Sequence, residues 1–517
     1  MVIKNICFLG AGHVGGPAAS VLALKCPNIK VTVCDINVQK ISQWNSEKLP
    51  IFEPDLDNIV KSRRNKNLFF TTDSTKNILE AELIFITVKT PLKTSGFKKG
   101  KAPNLQYLEE AARTIAKVSQ SNKIIVEKST VPVSAAESVA KIIQANKKDG
   151  ISYQILSNPE FSAEGSAIHD LLHPDRILIG GEDDPDSLAA IAELCAIYEH
   201  WIPKEKIITT DTWSSELSKL AANAMLAQRI SSINALSAIC EVAGADVTQV
   251  ANALGTDTRI GSKFLQAFIG FGGRCFKKDI LNLVYICECL NLPEVATYWQ
   301  HVLDMNEYQK NRFTQKILQA FHNTLNDKRI ALFGFAFKKN TMDTTESPAI
   351  DIAKALLDEG AHIHIYDPKV EEAQVLKDLS ISNCSGNAQS VTVFPDPYTA
   401  AKETHAIVVC TGWEVFATLN YKKIYDAMLK PAYIFDGGKI LDYYELVDLN
   451  AVWYTSYRVN QEIQDFEVVC GYQTYARMVA VPINKKADAQ TFFCDRVPKF
   501  HYEKGLVQIA IEIFVSR

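Results

Sequence analysis

This chain lacks long hydrophobic runs and basic runs. Its apolar segments end after about ten residues, well short of the roughly twenty that span a bilayer. Its net charge is −4, and no stretch concentrates lysine and arginine. Both absences argue against a membrane partner and against a nucleic-acid partner.

Cysteine is present but has no regular spacing. The twelve cysteines are scattered, and several lie in apolar strand-like runs. Cys287 and Cys289 are the closest pair, and no second pair completes a metal cage. We therefore expect no metal site and a reducing compartment, the cytoplasm. The apolar start of the chain runs into a glycine loop, so we interpret it as a first strand rather than a signal peptide.

Strand-like and helical patterns alternate in two regions, and the 517-residue length indicates about three or four domains. Predicted strands of the first region are 3–9, 29–35, 82–88, 123–127 and 176–180, with a helix at 105–118. Predicted strands of the second region are 328–334, 362–368, 405–410 and 432–438. Such alternation indicates parallel sheets covered by helices on both faces.

Between these regions the chain has no glycine or proline from Ser214 to Val242. Leucines and alanines recur there at helical spacing, which predicts one long helix, extended by further helices to about residue 322. The predicted fold class is α/β, with two Rossmann-like, doubly wound parallel-sheet domains joined by a long central helix and a helical core. The predicted divisions are 1–211, 212–322, 323–441 and a tail, 442–517, to which no structure is assigned.

A glycine motif follows the first predicted strand. Gly10, Gly12 and Gly15 form G-x-G-x-x-G, which makes a tight turn, lets backbone approach a pyrophosphate and packs helix on strand. Asp35 lies twenty residues past Gly15, where a carboxylate accepts both ribose hydroxyls and repels a 2′-phosphate. The pattern favours NAD over NADP, and dinucleotide binding over a purely structural turn.

The stretch F-G-G-R-C-F-K-K-D places Cys275 just before a predicted helix. A helix N-terminus and the neighbouring Arg274, Lys277 and Lys278 are expected to lower the pKa of the thiol and to favour the thiolate. The alternative is a small residue packed in a tight loop, and the loop alone does not decide between the two.

Two further groups of polar residues lie at chemically useful positions. Lys219 and Asn223 are four residues apart and therefore share one helix face, although in isolation an exposed lysine on a connecting helix is the better interpretation. Segments 127–133 and 157–165 follow predicted strands, where a parallel sheet forms its ligand crevice. Glu160 and Glu164 lie in the second segment and are otherwise solvated loop acids.

At these residues the chain resembles the UDP-glucose 6-dehydrogenase family, almost without a break from Ile3 to about Leu441. The stretches that carry the resemblance, in the family's order and spacing, are GAGHVGGP, EKSTVPV, SNPEFSAEG, TWSSELSKLAANA, FGGRCFKKD, GFAFKK and YIFDG. The resemblance implies a four-electron, NAD-dependent oxidation of the C6 alcohol of UDP-glucose to the acid of UDP-glucuronate. It assigns NAD binding to 1–211, dimerisation to 212–322 and UDP-sugar binding to 323–441.

The resemblance also implies roles in the chemistry. Cys275 is the nucleophile that forms a thiohemiacetal and then a thioester, which water hydrolyses. Lys219 stabilises the developing oxyanion, with Asn223 beside it. Asp279 orients a water and takes part in proton transfer with Lys219. Two further catalytic positions, which hold the water and assist acid–base steps, are Thr130 and Glu160.

The binding positions implied by the resemblance form two sets, and no metal ligand is implied. The cofactor set is Gly10, Gly12, Val14, Gly15, Asp35, Lys40, Ser129, Thr130, Glu164 and Lys278. The substrate set is Glu160, Phe161, Glu164, Lys219, Asn223, Arg259, Phe264, Leu265, Phe271, Gly272, Cys275, Phe276, Phe337, Lys338 and Lys439. Arg259 matches an arginine that reaches a neighbouring subunit's site, which implies a homo-oligomer: a dimer, or a hexamer built from dimers.

Several positions depart from the family pattern, including five that concern charge near the ligands. Gln266 and Thr345 lack the expected basic side chain, Lys439 lacks bidentate geometry, and Lys89 and Arg274 add charge near the cofactor and the nucleophile. These departures motivate an alternative, a catalytically weak paralogue that binds nucleotide sugar or pairs with an active subunit. A third interpretation changes the sugar to UDP-N-acetylmannosamine or GDP-mannose.

Overall fold

The computed structural model describes residues 3–381 and 390–442, Leu446, and the backbone of three short strands beyond them. The chain divides into two compact units, Met1–Val459 and Asn460–Arg517. Much of the predicted tail, 442–517, lies outside the described residues.

The first sheet has eight strands, in the order β3-β2-β1-β4-β5-β6-β7-β8. Their bounds are β1 (Asn5–Leu9), β2 (Lys30–Cys34), β3 (Leu68–Thr71), β4 (Leu83–Ile86), β5 (Lys123–Glu127), β6 (Tyr153–Ser157), β7 (Ile177–Gly181) and β8 (Ile207–Asp211). Neighbouring strands are parallel except β6 and β7, which pair antiparallel at Ser157 and Gly180. The amino end of β7 therefore lies at the edge where β1 to β6 have their carboxyl ends.

Helices cover both faces of this sheet. They are α1 (Gly15–Lys25), α2 (Val38–Trp44), α3 (Leu56–Arg63), α4 (Ser74–Glu80), α5 (Gln106–Val118), α6 (Ala135–Asn146), α7 (Ala167–Leu172) and α8 (Pro185–Tyr198). Because successive strand residues point to opposite faces, Ile6 and Phe8 enter one hydrophobic core while Cys7 and Leu9 enter another. The predicted burial of the sheet on both faces is confirmed.

A helical region follows, with α9 (Thr212–Ala243), α10 (Val247–Thr256), α11 (Phe276–Cys289) and α12 (Pro293–Ala320). The predicted long helix is confirmed as α9, which has 32 residues. Its N-terminus is capped by Asp211, whose Oδ1 accepts a hydrogen bond from the Ser214 amide at 2.8 Å. It ends at Gly244, whose φ of 74° suits a glycine C-cap.

The second sheet has six parallel strands, in the order β11-β10-β9-β12-β13-β14. Their bounds are β9 (Arg329–Phe333), β10 (His362–Tyr366), β11 (Val391–Val393), β12 (Ala406–Val409), β13 (Tyr433–Asp436) and β14 (Val452–Thr455). Its helices are α13 (Pro348–Asp358), α14 (Glu372–Asp378), α15 (Pro397–Ala401), α16 (Glu414–Ala417) and α17 (Tyr421–Ala427). Strand β14 lies in the tail, where the sequence pattern predicted no element.

The predicted α/β fold class is confirmed by two mainly parallel sheets with a long helix between them in sequence. In the second compact unit, β15 (Phe466–Val468) and β16 (Ala476–Met478) form an antiparallel pair. Among the described helices, none combines the length and the apolar character needed to cross a membrane.

Candidate active site

The glycine loop between β1 and α1 has the shape that a diphosphate needs. A side chain at Gly10, where φ is 115°, would collide with the Thr87 carbonyl, and one at Gly15 would collide with the Gly10 carbonyl. No atom lies within 4 Å of the point that a Cβ on Gly12 would occupy. Two glycines thus permit close packing, and the third leaves open space at the N-terminal end of α1, where anions bind.

Asp35 is held in one orientation at the end of β2. Its Oδ2 accepts hydrogen bonds from the Ala11 amide at 3.0 Å and from Lys40 Nζ at 2.7 Å, and its Oδ1 accepts one from the Asn37 amide at 2.9 Å. Partial burial raises the pKa of Asp35, but the Lys40 ammonium and the two amides outweigh it and hold the pKa below its usual value. The carboxylate is therefore ionised and fixed, as a ribose acceptor requires.

Replacing Asp35 with asparagine is expected to raise the KM for NAD by about 10- to 100-fold, because a charge-assisted hydrogen bond contributes about 1.5–3 kcal/mol. The preference for NAD over NADP should shrink, since the charge that repels a 2′-phosphate is gone. Steady-state kinetics with both cofactors measure this. Asp73→Asn, at an exposed N-cap where asparagine also caps, is the matched control. An unchanged KM in Asp35→Asn would contradict the assignment.

A line of hydrogen bonds joins α9 to α11. Lys219 Nζ donates to Asn223 Oδ1 at 3.4 Å, and Asn223 Nδ2 donates to Asp279 Oδ2 at 2.6 Å. All three side chains are buried. The prediction that Lys219 and Asn223 share one helix face is confirmed, and packing of α11 on α9 brings Asp279 to the same group.

Cys275 is the N-cap residue of α11, so the prediction that it precedes a helix is confirmed. The residue is exposed, yet neighbouring protein groups remove much of the solvent around its thiol. This desolvation and the Asp279 carboxylate raise the pKa of the Cys275 thiol, and Lys219 and Lys278 oppose the rise without cancelling it. The prediction of a lowered pKa is therefore wrong.

Two of the three cations beside Cys275 in the sequence, Arg274 and Lys277, are engaged by carboxylates, which adds to the effect of desolvation. Arg274 donates from Nε and Nη2 to the Asp343 carboxylate at 2.5 and 3.0 Å. Lys277 Nζ pairs with Glu346 Oε2 at 2.8 Å. Because each positive charge already faces a carboxylate, neither stabilises a thiolate strongly, and Cys275 rests as a thiol.

The two glycines before Arg274 let the loop between β9 and α13 lie against the loop that carries Cys275. A side chain on Gly272 or Gly273 would collide with Phe337, and the Gly273 amide donates to the Thr345 carbonyl at 2.8 Å. The rings of Phe271 and Phe276 meet edge to face with their centroids 5.6 Å apart. Four predicted substrate residues, Phe271, Gly272, Phe276 and Phe337, are thus brought together.

Glu160 has a partner that the sequence analysis missed. Its Oε2 lies 3.0 Å from Lys128 Nζ, and its Oε1 accepts the amides of Phe161 and Ser162, both at 2.9 Å. Burial raises the pKa of Glu160, but Lys128 and these donors outweigh it and lower the pKa overall. The only sequence signal for Lys128 was its place directly after a strand in EKSTVPV.

Thr130 and Lys278 are linked through Thr90. Thr90 Oγ1 donates to the Thr130 carbonyl at 2.6 Å and accepts from Lys278 Nζ at 3.2 Å. Lys278 Nζ also lies 3.7 Å from Asp279 Oδ1. The hydroxyl of Ser129 lies close by in sequence and donates to the Val88 carbonyl at 2.8 Å. The 129–130 turn is thereby tied to the helix that carries Asp279.

The carboxyl groups of Glu164 and Asp343 both lie close to the guanidinium of Arg274. Arg274 Nε lies 3.8 Å from Glu164 Oε1 and pairs with Asp343. Burial, and then the Asp343 carboxylate, raise the pKa of Glu164 to about 8.

His13 lies in the glycine loop, and the sequence analysis gave it no role. Burial and then Arg274 lower the pKa of His13 to about 4, so its imidazole is neutral.

Glu164 makes stability depend on pH with a definite sign. Its folded pKa of about 8 lies above the ordinary 4.5, so unfolding releases a proton between these values and stability falls as the pH rises through them. Glu164→Gln is expected to remove this dependence. The Tm of the variant minus the Tm of the wild type should therefore be larger at pH 8.5 than at pH 5. Thermal unfolding at both values measures it, with the exposed Glu199→Gln as control. If the Tm of the wild type and the Tm of Glu164→Gln changed equally with pH, the raised pKa of Glu164 would be contradicted.

Other predicted substrate residues are not joined to the Lys219–Asn223–Asp279 group. Arg259 is exposed and pairs with Asp257 at 2.6 Å, and Lys439 pairs with Asp246 at 2.7 Å. Phe264 is exposed, with a φ of 63°. None of these three makes a hydrogen bond, ion pair or ring contact with that group in the described part of the chain.

Leu265 and Lys338 complete the predicted set. Leu265 is buried beside α9 and α10. Burial lowers the pKa of Lys338, and the carboxylates of Glu164 and Glu53 oppose this. Across the described ranges, no three His, Cys, Asp or Glu side chains are grouped as metal ligands.

Three models of one family match the chain in order. They are the NAD binding domain of the UDP-glucose/GDP-mannose dehydrogenase family at residues 4–202, its central domain at 213–308 and its UDP binding domain at 331–443. Together they account for most of the chain.

Similar proteins agree with these matches. A UDP-glucose 6-dehydrogenase of Drosophila melanogaster is 62% identical over 446 residues, which are 86% of this chain and 94% of that protein. UDP-glucose 6-dehydrogenase 4 of Arabidopsis thaliana is 55% identical and covers 87% of this chain and 96% of its own. The solved UDP-glucose dehydrogenase of Pyrobaculum islandicum has a TM-score of 0.76 at 27% identity, covering 88% of this chain and 98% of its own. The chain belongs to the UDP-glucose/GDP-mannose dehydrogenase family and is an NAD-dependent oxidoreductase.

Proposed function

We propose that this protein is a UDP-glucose 6-dehydrogenase, which oxidises the C6 alcohol of UDP-glucose to the acid of UDP-glucuronate in two steps. The observation that carries the proposal is the hydrogen-bonded group Lys219–Asn223–Asp279 beside the thiol of Cys275. Relatives at 55–62% identity bear this name, and the matched domains bind NAD and UDP. A catalytically weak paralogue is not favoured, because the residues for the chemistry are present and assembled.

The cofactor NAD, when bound, takes up two electrons and a hydrogen from C6 in each oxidation. Gly10, Gly12 and Gly15 leave room for its diphosphate, and Asp35 accepts its ribose hydroxyls. Ser129 and Glu164 are proposed to lie on its nicotinamide side; Val14, Lys40 and Lys278 belong to the same cofactor set by resemblance.

In the first oxidation the alcohol loses its hydroxyl proton and becomes an aldehyde. Lys219 has only Asn223 Oδ1 as a hydrogen-bond acceptor among the described residues, so its other donors are available to a developing oxyanion. Asp279 Oδ1 accepts no hydrogen bond from any described group and can hold a water or take up the proton. By resemblance, Thr130 and Glu160 are proposed to hold the water and to assist the acid–base steps.

In the second oxidation the Cys275 sulfur bonds to the aldehyde carbon. The thiol proton leaves, and the carbonyl oxygen gains a proton to complete the thiohemiacetal. Because the resting thiol has a raised pKa, it needs a proton acceptor, and Asp279 is the carboxylate that acts on it most strongly. Loss of two electrons and two hydrogens from the thiohemiacetal gives a thioester. Water then adds, the carbon–sulfur bond breaks, and sulfur recovers its proton.

The domains are proposed to divide these tasks. Residues 1–211 hold NAD, residues 212–322 form the helical core, and residues 323–441 bind the UDP-sugar, as the family matches support. We further propose a homo-oligomer, because α9 exposes Trp213, Leu217 and Met225. Cytoplasmic location is proposed from the cysteines, since each one in the described part is a free thiol.

The proposal is tested with purified protein, NAD and each of three nucleotide sugars. UDP-glucose should give NADH and a product with the mass of UDP-glucuronate. UDP-N-acetylmannosamine and GDP-mannose should give little or none. Faster turnover of UDP-N-acetylmannosamine or GDP-mannose would change the assigned substrate to that sugar. Binding of UDP-glucose without NADH formation would instead support the catalytically weak paralogue.

A further inference from the structure

Two cations lie over the ring of Phe161 at the edge of the active site. The guanidinium carbon of Arg176 is 3.8 Å from the ring centroid, and Lys219 Nζ is 5.3 Å from it. The two charged groups are thus no further apart than the sum of these distances. No motif had singled out Arg176, and neither the cofactor set nor the substrate set includes it.

The reversed direction of β7 explains how Arg176 reaches this ring. Arg176 directly precedes β7, whose Gly180 pairs antiparallel with Ser157 at the carboxyl end of β6. The start of β7 therefore projects past the end of β6, where the chain continues to Phe161. If β7 ran parallel to β6, its amino end would lie at the opposite edge of the sheet.

The backbone of Phe161 is fixed independently of its ring. Its amide donates to Glu160, which pairs with Lys128, and Lys128 Nζ in turn donates to the Tyr198 hydroxyl at 3.3 Å. These contacts hold the turn but leave the ring's rotation to the groups lying over it. A planar guanidinium at 3.8 Å is in stacking contact, which restricts that rotation more than a flexible ammonium does.

The stack with Phe161 is also what orients Arg176. No carboxylate or other hydrogen-bond acceptor in the described ranges engages its guanidinium. Lys219 is held about as loosely, by one long hydrogen bond to Asn223 and by the same ring. The position of the Lys219 ammonium therefore depends on the orientation of the Phe161 ring.

We propose that Arg176 is a positioning residue: its guanidinium, stacked on Phe161, fixes the ring against which the Lys219 ammonium is held in place for oxyanion stabilisation. This inference rests on the proposed function. It predicts that Arg176 affects kcat, because Lys219 stabilises charge that develops during reaction, and that it affects substrate binding little.

A double-mutant cycle tests the inference, with NADH formation from UDP-glucose as the readout. Arg176→Lys keeps the charge but loses the planar stack, and is expected to lower kcat about tenfold with the KM for UDP-glucose within twofold. In a Phe161→Leu background the same substitution should change kcat by less than twofold, because the ring through which it acts is gone. Arg113→Lys, on the exposed face of α5, is the matched control.

Each outcome of the cycle decides the matter. Equal losses in both backgrounds would mean that Arg176 acts without Phe161, and a KM change alone would make it a substrate contact; either overturns the inference. Wild-type kcat in Arg176→Lys would also overturn it. A Tm and an NAD affinity equal to wild type show that the variants are folded. If the wild type forms no NADH from UDP-glucose, the proposed function fails and the inference fails with it.

Discussion

Cys275→Ser is expected to lower the formation of UDP-glucuronate by at least about 1000-fold, because loss of a nucleophile removes the covalent route itself. A serine hydroxyl occupies nearly the same space, so the fold and both ligand sites should persist. The first oxidation does not use sulfur, so NADH formation is expected to stop at no more than one equivalent per UDP-glucose. Product analysis by mass spectrometry and a rapid-mixing assay of NADH measure the two effects.

The same helix supplies a matched control for this substitution. Cys289 is exposed at the opposite end of α11, and Cys289→Ser should retain wild-type turnover. Alkylation of Cys275 by iodoacetamide, followed in Cys289→Ser, should be slow at pH 7 and should accelerate toward high pH, because the pKa of Cys275 is raised. Normal UDP-glucuronate formation by Cys275→Ser would contradict the thioester route.

Asp279→Asn has the second largest expected effect, a fall in kcat of about 100- to 10,000-fold. Asparagine can still accept the hydrogen bond that Asn223 donates at 2.6 Å, so the geometry is largely kept while the proton acceptor is lost. Steady-state kinetics across pH 6–9 test this. The loss should persist across that range, since the amide does not titrate there.

The stability of Asp279→Asn should move in the opposite direction to its activity. Burial raises the pKa of Asp279, and Lys278, Lys219 and Asn223 only partly offset it. The ionised carboxylate therefore costs folding free energy at neutral pH, and the neutral amide avoids that cost. The Tm at pH 8 should equal or exceed that of the wild type. Asp304→Asn, on the exposed face of α12, should change neither property, whereas full activity in Asp279→Asn would remove Asp279 from the mechanism.

Local patterns predicted the elements that are buried on both faces or long and periodic. Continuous apolar runs marked β1, β2 and β4, and the absence of glycine and proline marked α9. The strands missed in the two large sheets were β3, β6, β8, β11 and β14. Strand β8, with the sequence IITTD, is half exposed and polar at its end, so its pattern resembles that of a loop.

The sequence patterns did not predict contacts between residues that are far apart in the chain. The antiparallel pairing of β6 with β7 is set by how the chain crosses between them, which no residue in either strand specifies. The bond between Asn223 and Asp279 and the pair between Arg274 and Asp343 join residues 56 and 69 positions apart. Only the packing of α9, α11 and the second sheet's loops creates them.

The family resemblance selected the chemistry correctly at the level of family and cofactor, but it could not supply local electrostatics. It named Cys275 as the nucleophile, while the neighbouring cations wrongly indicated a thiolate at rest. Arg274, whose charge was expected to act on the thiol, instead pairs with Asp343 and joins the loop that carries Cys275 to the loop between β9 and α13. A charged side chain strongly shifts the pKa of a residue next to it in the sequence only when no closer partner engages that charge.

The number of NADH formed for each UDP-glucose consumed to completion decides whether Cys275 takes part in the oxidation. The thiol of Cys275 has a role only if the aldehyde is oxidised further, so the account predicts two NADH per UDP-glucose, with UDP-glucuronate as the product. One NADH per sugar, with an aldehyde as the product, would contradict it and would reduce Cys275 to a packed residue in a glycine loop.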